Sequence, residues 1–479
     1  MNRSNSPETG FVNPGGDNAE AVRDLVEDVV DQLLEQLETA QDRSPLPDDS
    51  TIPEVSIPAS PRSQNDLLSE LETIVSGSMN PAHPGYIGHM DTMPTTVSVL
   101  GDLVVSAVNN NMLSVEMSPV FSELEVQLIE VIASEFGLGP DAGGVLASGG
   151  SLANLHTLSV ARNHAFDVHR DGLTGLNHKP VLFASDVAHT SLQKAAMMLG
   201  LGTEAVVAVE TDGNSRMKPN ALKQAVERAE RDDRAPFCVV ATAGTTTTGN
   251  IDPLSEIGDV ADEHDLWLHV DAAYGGALVL SEAERERLNG IEAADSITFN
   301  PQKWCYVAKT CAMALFADVD VLQEDFRVGA PYMRGDDVVP NLGELSVQGT
   351  RRAEVLKLWL TFQHLGREGL EQLIDESYRL TALIRNYVAD HDELELASDP
   401  EMNLICFRAA PYWCPPDKRD ALNGRLQRQL LSRQDIFVSL PTYRDNRWLR
   451  VVLLNPFTDE TTLDRLFDGI ELFLDAERP

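Results

Sequence analysis

The middle of the chain alternates between short apolar runs and amphipathic segments, and this alternation restricts the possible folds more than any other feature of the sequence. The apolar runs are 181-VLFAS-185, 205-AVVAVE-210, 237-FCVVATA-243, 266-LWLHVDAA-273 and 295-DSITFN-300. Between them lie segments with helical spacing of apolar residues, such as 218–230 and 254–265. Strands that alternate with helices are typical of a mostly parallel sheet covered by helices. The sequence therefore predicts an α/β fold with such a sheet.

The two ends of the chain show different patterns. Residues 20–40 have helical spacing, and a segment rich in Pro, Ser and Asp follows at 43–61. A long helical stretch at 353–389 precedes three apolar runs and a final helix, at 403–409, 436–440, 448–454 and 459–475. We therefore expect three parts, namely a helical segment with a linker at 1–82, a large domain at 83–355 and a small α+β domain at 356–479.

The charge of the chain is extreme. Its 479 residues include 75 acidic and 37 basic side chains, a formal net charge of −38, and the acidic residues are spread along the whole length. Such a surface repels nucleic acids and anionic membranes, so neither is expected as a partner. Evenly distributed acid together with scarce lysine indicates adaptation to concentrated salt, and we expect a halophilic protein.

Cysteine content and hydropathy restrict the cellular setting. The five cysteines are odd in number and lack C-x-x-C spacing, which is typical of reduced thiols rather than of disulfides or a zinc site. No run approaches the length of about 18 apolar residues that a membrane helix needs. The N-terminal residues lack the apolar core of a secretory signal. These observations predict a cytoplasmic protein without a metal centre.

Side chains suited to chemistry follow the predicted strands, where parallel sheets collect their functional groups. In 145-VLASGGSLANLHTLSVAR-162 two glycines and Ser151 precede a helical pattern, an arrangement that suits an anion such as phosphate. An ordinary glycine turn with a serine cap explains the same residues. Neither G-x-G-x-x-G nor G-K-[ST] is present there, which argues against a nucleotide-binding loop.

Three further motifs follow later strands. His189 stands in 184-ASDVAHTSLQKAA-196 at a predicted helix start, where a histidine is a helix cap, a core residue or a catalytic group. Asp271 lies near the end of the apolar run 266–273, and a buried carboxylate requires a cation, either in a structural salt bridge or on a ligand. Lys303 stands in 299-FNPQKWCYVAK-309, beside an apolar strand end in a chain with only eight lysines.

One cofactor accounts for all four motifs. Pyridoxal 5′-phosphate (PLP) forms a Schiff base with a lysine amine, and an aspartate pairs with its pyridinium nitrogen. Its phosphate suits a helix N-terminus, and an imidazole can stack on its ring. We therefore predict a PLP site that contains Ser151, His189, Asp271 and Lys303.

Several motifs in the same order resemble those of the group II PLP-dependent amino-acid decarboxylases, the family of the aromatic amino-acid, histidine, glutamate and diaminobutyrate decarboxylases. They are HPGYIGHMD near 83, SPVFSELE near 118, SGGSLAN at 148, SDVAHTS at 185, ATAGTTTTGNIDPL at 241, HVDAAYGG at 269 and NPQKW at 300. The resemblance runs from about residue 65 to the C-terminus. It implies fold type I of PLP enzymes, with a seven-stranded, mostly parallel sheet. It also implies an obligate homodimer, with the N-terminal segment taking part in dimerisation.

The resemblance implies roles for individual residues. Lys303 would hold PLP as an aldimine, Asp271 would pair with the pyridinium, and His189 would stack on the ring and help to hold the substrate carboxylate. The other cofactor contacts that it implies are Gly150, Ser151, Thr246, Ala273, Asn300 and Gln302. The family usually has histidine at position 302. Glutamine can donate a hydrogen bond to phosphate but cannot transfer a proton near neutral pH.

The implied reaction is the removal of the α-carboxylate of an L-amino acid, which gives carbon dioxide and an amine. The polar stretch 326-FRVGAPYMRGDDVVPNLGE-344 is typical of a mobile loop that excludes water during a reaction. The resemblance places a catalytic tyrosine on this loop, and Tyr332 matches it as the proton donor to Cα. A tyrosine favours the amine product, whereas relatives that form aldehydes typically have an apolar aromatic residue there.

Other functions remain open. An aminotransferase of the same fold would hold the substrate carboxylate with an arginine, for which Arg447 and Arg450 are candidates. An aldehyde-forming oxidative decarboxylase, a cysteine desulfurase and a non-catalytic homologue are further alternatives. The resemblance places His89 at the substrate side chain, with Glu116 nearby, and this pair suits an aromatic amino acid or a diamino acid.

Overall fold

A seven-stranded sheet is the core of the computed structural model, which describes residues 10–47, 52–329 and 339–479. Its strands are β1 Gly143–Ala147, β2 Lys179–Ser185, β3 Val206–Val209, β4 Arg234–Thr242, β5 Trp267–Ala272, β6 Ser296–Phe299 and β7 Ala312–Phe316. They lie in the order β1-β7-β6-β5-β4-β2-β3. Strands β6, β5, β4, β2 and β3 pair in parallel, whereas β7 is antiparallel to both of its neighbours. The predicted α/β fold with a mostly parallel sheet is confirmed.

The helices and the remaining strands complete the description. The helices are α1 Ala19–Glu38, α2 Gln64–Ser76, α3 Thr96–Val108, α4 Pro119–Glu135, α5 Gly150–Phe166, α6 Ser191–Met198, α7 Pro219–Arg231, α8 Leu254–Glu263, α9 Asp320–Asp325, α10 Leu342–Leu345, α11 Val355–Ala389, α12 Arg419–Gln434 and α13 Glu460–Glu477. Strands β8 Leu394–Leu396, β9 Leu404–Ala409 and β12 Leu449–Val452 form a small antiparallel sheet. Strands β10 Thr442–Tyr443 and β11 Asn446–Arg447 form a short hairpin.

Both faces of the large sheet are buried, which explains why its strands read as continuous apolar runs. Every residue of β5 is buried, and so are the last six residues of β4. Helix α7 buries residues that lie on one of its faces, namely Leu222, Ala225, Val226 and Ala229. Helix α5 is different, because it is buried on nearly every side from Ala153 to Ala161. Polar side chains on α5 therefore face the interior of the protein.

The described residues group into two compact units. One comprises the described residues up to Gly88 together with Arg425–Val438 and Asn455–Pro479. The other comprises His89–Gly424 and Ser439–Leu454, and it contains the large sheet and the small three-stranded sheet. The three-part division at 1–82, 83–355 and 356–479 stays a prediction.

The apolar run 436–440 does not form a strand of the small sheet. The Phe437 N–H group donates to the carbonyl oxygen of Gly85 (2.8 Å), whereas Ser439 and Arg450 exchange backbone hydrogen bonds of 3.2 and 2.8 Å. Because the segment changes its partner within two residues, no continuous ladder forms. The runs at 403–409 and 448–454 do contain strands, β9 and β12.

The cysteines and the hydropathy of the helices can be compared with the expectations from the sequence. All five cysteines are buried, and none of them forms a disulfide. Of the helices in the described ranges, none combines the length and apolar character that crossing a bilayer requires.

Candidate active site

A cavity of about 320 Å³ lies where the loops that follow the parallel strands meet. Most residues of the predicted site line it, namely His89, Gly150, Ser151, His189, Thr246, Asp271, Ala273, Asn300 and Lys303. Gln302 is not among the lining residues, and Tyr332 lies outside the described residues. The motifs after β1, β2, β4, β5 and β6 thus meet in one place.

Lys303 follows β6 and supplies an amine to the cavity wall. Its Nζ atom lies 6.0 Å from the centre of the Tyr274 ring. Burial lowers the pKa of Lys303 below its ordinary value, and the nearby cation of Arg450 adds to this, whereas Asp271 and Asp91 act against it. A lowered pKa increases the share of the neutral amine, which is the form that attacks an aldehyde.

Asp271 lies in β5, and its carboxylate is buried among neutral hydrogen-bond donors. Asn154 Nδ2 donates to Asp271 Oδ2 (2.8 Å), and the N–H group of Ala273 donates to Oδ1 (3.2 Å). Only 6% of the residue is exposed. Because these partners carry no charge, the carboxylate keeps its capacity to pair with a cation in the cavity.

His189 lies between β2 and α6, beside the start of that helix. The N–H group of Ser191 donates to His189 Nδ1 (3.2 Å), and Ser191 Oγ lies 2.9 Å from the same nitrogen. Burial lowers the pKa of His189, whereas the Asp271 carboxylate acts in the opposite direction. His189 is therefore a neutral imidazole near neutral pH, and it lines the cavity.

The start of α5 forms a close-fitting cradle. Gly149 has a φ of 125°, a conformation that favours glycine. A Cβ atom on Gly150 would lie 2.8 Å from Asn300 Nδ2, so only glycine permits this approach. The buried Oδ1 atom of Asn300 has no hydrogen-bond partner among the described residues. Since the first N–H groups of a helix lack intrahelical partners, the cradle suits an anion.

Arg450 on β12 places a second cation on the cavity wall. Its guanidinium donates to the carbonyl oxygen of Thr246 (2.6 Å) and to Ser439 Oγ (3.0 Å), and Nη2 lies 3.1 Å from His89 Nδ1. Burial lowers the pKa of His89, and Arg450 lowers it further. Arg447, the other arginine considered for a carboxylate clamp, is exposed on β11 and does not line the cavity.

The substrate side of the cavity differs from the expectation. Asp91 lines the cavity and forms an ion pair with Lys309. Glu116, which was expected beside His89, is exposed in the short 3₁₀-helix Val115–Met117 and is not among the lining residues. An acidic group is therefore present near His89, but it is Asp91.

Gln302 points toward β7 rather than into the cavity. Its Oε1 atom accepts a hydrogen bond from the N–H group of Cys311 (2.6 Å), and its own N–H group donates to the carbonyl oxygen of Cys311 (3.3 Å). These bonds tie the Lys303 segment to the start of β7. A contact between Gln302 and the cofactor stays a prediction.

The family model described as the pyridoxal-dependent decarboxylase conserved domain matches residues 47–410. The chain belongs to the pyridoxal-dependent decarboxylase family. This decarboxylase is therefore a fold type I PLP enzyme that acts as an amino-acid decarboxylase, a carboxy-lyase. The family resemblance inferred from the motifs is confirmed.

Relatives that are named for different substrates have similar sequence identities to this decarboxylase. It is 31% identical to L-2,4-diaminobutyrate decarboxylase of Acinetobacter baumannii over 432 residues, which cover 87% of this chain and 84% of the relative. It is 30% identical to acidic amino acid decarboxylase GADL1 of Mus musculus over 428 residues, 85% of this chain and 77% of the relative. The crystal structure of mouse CSAD in its apo form superposes with a TM-score of 0.89 at 28% identity, covering 95% of this chain and 99% of that one.

Sequence reasoning missed several residues that line the cavity of the decarboxylase, namely Met90, Asp91, Asn154, Thr242, Gly244 and Tyr274. Two of them had a signal. Asn154 stands three positions after Ser151, so the two lie on the same side of α5. Asp91 stands two positions after His89 in the quoted motif HPGYIGHMD.

Proposed function

We propose that PLP is bound covalently to Lys303 as a Schiff base and that the enzyme removes the α-carboxylate of an L-amino acid to give carbon dioxide and an amine. The observation that carries this proposal is the meeting of an amine, a buried carboxylate and a helix N-terminus in one cavity, at Lys303, Asp271 and Gly150. When bound, PLP supplies an electron sink for the electrons that remain at Cα after decarboxylation.

The protein groups around the ring control its charge and position. In this proposal Asp271 pairs with the pyridinium nitrogen and keeps it protonated, since a nearby anion favours the charged form. His189 stacks on the ring and helps to hold the substrate carboxylate. Thr246 and Ala273 contact the ring. The neutral hydrogen-bond partners of Asp271 support this assignment, because they leave its charge available.

The cradle at α5 takes the phosphate. Gly150, Ser151 and Asn300 are the proposed contacts, and Gln302 is a further one. The Asn300 amide can turn its NH₂ group toward the phosphate, because its buried Oδ1 atom has no hydrogen-bond partner among the described residues that would fix its orientation. Glycine at position 150 lets the start of α5 approach Asn300, since an added Cβ would lie 2.8 Å from Asn300 Nδ2.

Proton delivery to Cα is assigned to Tyr332 on the strength of the family resemblance alone. A positioned hydroxyl group protonates the substrate carbon when water is excluded, and this leads to an amine rather than an aldehyde. The oxidative, aldehyde-forming alternative is therefore the less favoured one.

Among the expected substrates, the cavity supports a diamino acid better than an aromatic one. Asp91 lines the cavity, and its carboxylate, which also pairs with Lys309, can accept a further hydrogen bond from a distal ammonium group. Of the described lining residues, Tyr274 is the only Phe, Tyr or Trp. The relative named for L-2,4-diaminobutyrate points in the same direction. A second candidate is an acidic amino acid, because Arg450 adds a cation to the wall and GADL1 is named for acidic substrates.

A substrate panel tests the proposal. The purified protein, loaded with PLP in molar KCl, is given L-2,4-diaminobutyrate, L-tyrosine or L-aspartate, and the release of carbon dioxide and amine is measured. The fastest release is expected from L-2,4-diaminobutyrate, because Asp91 neutralises its distal ammonium group. The D-enantiomer of each amino acid serves as the control.

Each other outcome identifies a different function. Fastest release from L-aspartate would support the acidic alternative, and fastest release from L-tyrosine would support the aromatic one. Aldehyde, ammonia and peroxide in place of the amine would indicate oxidative decarboxylation. A keto acid without carbon dioxide would indicate an aminotransferase.

We also propose that the enzyme is a salt-adapted homodimer. Helix α3 carries a row of apolar side chains that are each close to half exposed, namely Val99, Leu100, Leu103, Val104 and Val108. A patch of this kind is unusual on a monomer and supports burial in an assembly. The net charge of −38 supports the need for salt.

Lowering the ionic strength is expected to destabilise the dimer. The screening length grows from about 3 Å at 1 M salt to about 10 Å at 0.1 M, so repulsion between the acidic subunits increases. Light scattering and thermal unfolding before and after dialysis into dilute buffer should show dissociation and a lower Tm, and restoring KCl should reverse both. An unchanged mass and Tm in dilute buffer would contradict the proposal.

A further inference from the structure

Asn154 connects two residues of the proposed cofactor site. It lies on α5 and is 1% exposed. Its Nδ2 atom donates to Asp271 Oδ2 (2.8 Å) and to Ser191 Oγ (2.9 Å). Ser191 Oγ in turn lies 2.9 Å from His189 Nδ1. One amide therefore contacts the carboxylate directly and reaches the imidazole through a single hydroxyl group.

The orientation of this amide follows from its neighbours. An ionised carboxylate only accepts hydrogen bonds, so the NH₂ group of Asn154 faces Asp271. The amide oxygen then faces His269, and Asn154 Oδ1 lies 3.1 Å from His269 Nε2. An amide oxygen has no hydrogen to donate, so this contact favours a proton on Nε2 of His269.

His269 has acceptors beside both of its ring nitrogens. It is fully buried, and burial lowers its pKa to about 4 although Asp271 acts against this shift, so the ring is neutral near neutral pH. Ser296 Oγ lies 2.9 Å from Nδ1 and accepts from Trp267 Nε1 (2.8 Å), and the Ser296 carbonyl oxygen, which only accepts, lies 3.1 Å from the same nitrogen. A neutral ring carries one proton, so it donates either to Asn154 or to Ser296.

The Asn154 amide also acts on His189. Ser191 Oγ accepts from Asn154, so its hydroxyl hydrogen is available to His189 Nδ1. The backbone N–H group of Ser191 donates to that nitrogen as well (3.2 Å). His189 therefore accepts at Nδ1 and carries its proton on Nε2. The hydrogen bonds thus run from the Asn154 amide to Asp271 and, through Ser191, to His189.

We propose that Asn154 is a positioning residue that holds the Asp271 carboxylate as a hydrogen-bond acceptor and, by orienting the Ser191 hydroxyl group, supports His189 as its Nε2–H tautomer. The proposal rests on the proposed function, in which these two side chains face the cofactor. Asn154 acts through both of them. Without its amide, the buried carboxylate loses a donor and the orientation of Ser191 is no longer determined.

Imidazole NMR on the wild-type protein tests the deduced proton positions. The full-length chain is prepared with ¹⁵N-labelled histidine rings, with and without PLP, and the signals are assigned by their loss in His269→Gln and His189→Asn. His189 is expected to carry its proton on Nε2, and the same spectra show which nitrogen of His269 is protonated. A proton on Nδ1 of His189 would overturn the proposal. This measurement needs neither activity nor bound cofactor, so it stands even if PLP binding at Lys303 is disproved.

The substitution Asn154→Asp tests the role of the amide with almost no change in shape. It replaces the amide with a carboxyl group, and two carboxyl groups at this distance share one proton rather than both ionising, so the charge that Asp271 offers to PLP falls. The dissociation constant of PLP is expected to rise at least about tenfold, as for the loss of a hydrogen bond to a charged group. Because the backbone N–H group of Ser191 still donates to His189 Nδ1, His189 is expected to keep its tautomer but to show a shifted Nδ1 signal as the Ser191 hydroxyl group loses its fixed orientation. Retained PLP affinity together with an unchanged His189 signal would overturn the proposal.

Thr157→Val is the matched control on the same helix. Thr157 Oγ1 donates to the backbone oxygen of Asn154 (3.1 Å) and lies 3.3 Å from His269 Nε2, so its hydrogen bonds involve neither Asp271 nor Ser191. This variant should keep the PLP affinity and the His189 ring signals. Equal weakening of PLP binding in both variants would assign Asn154 a structural role only. If Asn154→Asp does not fold, the proton position measured on the wild-type His189 ring still tests the proposal.

Discussion

Replacing Lys303 with alanine is expected to abolish the covalent attachment of PLP and to lower turnover by at least about three orders of magnitude. Lys303 is the only lysine among the described residues that line the cavity, so no second amine there can take its place. The Schiff-base absorbance should disappear, and borohydride reduction should leave no cofactor mass on the protein.

Lys309→Ala is the matched control for this experiment. Lys309 follows the same strand end but is exposed and pairs with Asp91, outside the set of lining residues. Its loss should leave the Schiff base intact. Cofactor that is still reducible onto the Lys303→Ala protein would show that another lysine holds PLP.

The substitution Asp271→Asn should leave PLP attached but lower turnover by roughly two to three orders of magnitude, because a neutral partner no longer stabilises the pyridinium charge. The amide has nearly the same shape as the carboxylate, so the contacts of β5 should remain. Absorbance spectra report the attachment of the cofactor, and the release of carbon dioxide reports turnover.

Asp91→Asn is the control that shows whether the effect of Asp271→Asn is specific to the carboxylate proposed to pair with the pyridinium nitrogen. Asp91 lines the same cavity, and its carboxylate pairs with Lys309. This variant is expected to weaken substrate binding and to leave the cofactor spectrum unchanged. If Asp271→Asn turned over at a normal rate, the carboxylate of Asp271 would have only a structural role.

The sequence was sufficient to predict those site residues that lie at the ends of parallel strands. His189, Asp271 and Lys303 each follow a strand, and parallel strands bring their carboxyl ends to one edge of the sheet. Finding the strands was therefore enough to predict that these side chains meet. The prediction needed no knowledge of distances.

Other details depend on tertiary packing. Gln302 is next to Lys303 in the chain, but neighbouring residues at a strand end point in different directions, and its side chain bonds to Cys311. Asn154 was not among the predicted site residues, because the sequence does not reveal that α5 is buried on nearly every side. The link from Arg450 to Thr246 depends on how β12 packs, which no local pattern encodes.

The cavity described above also has a consequence for biogenesis. Its walls come from positions as distant in the chain as Gly150 and Arg450, so the site is complete only after the contacts with the largest sequence separation have formed. A partly synthesised chain thus has no place to capture PLP. Since a ligand that binds only the native state protects it from unfolding, vitamin B6 status bears on how long this enzyme survives proteolysis as well as on how fast it works.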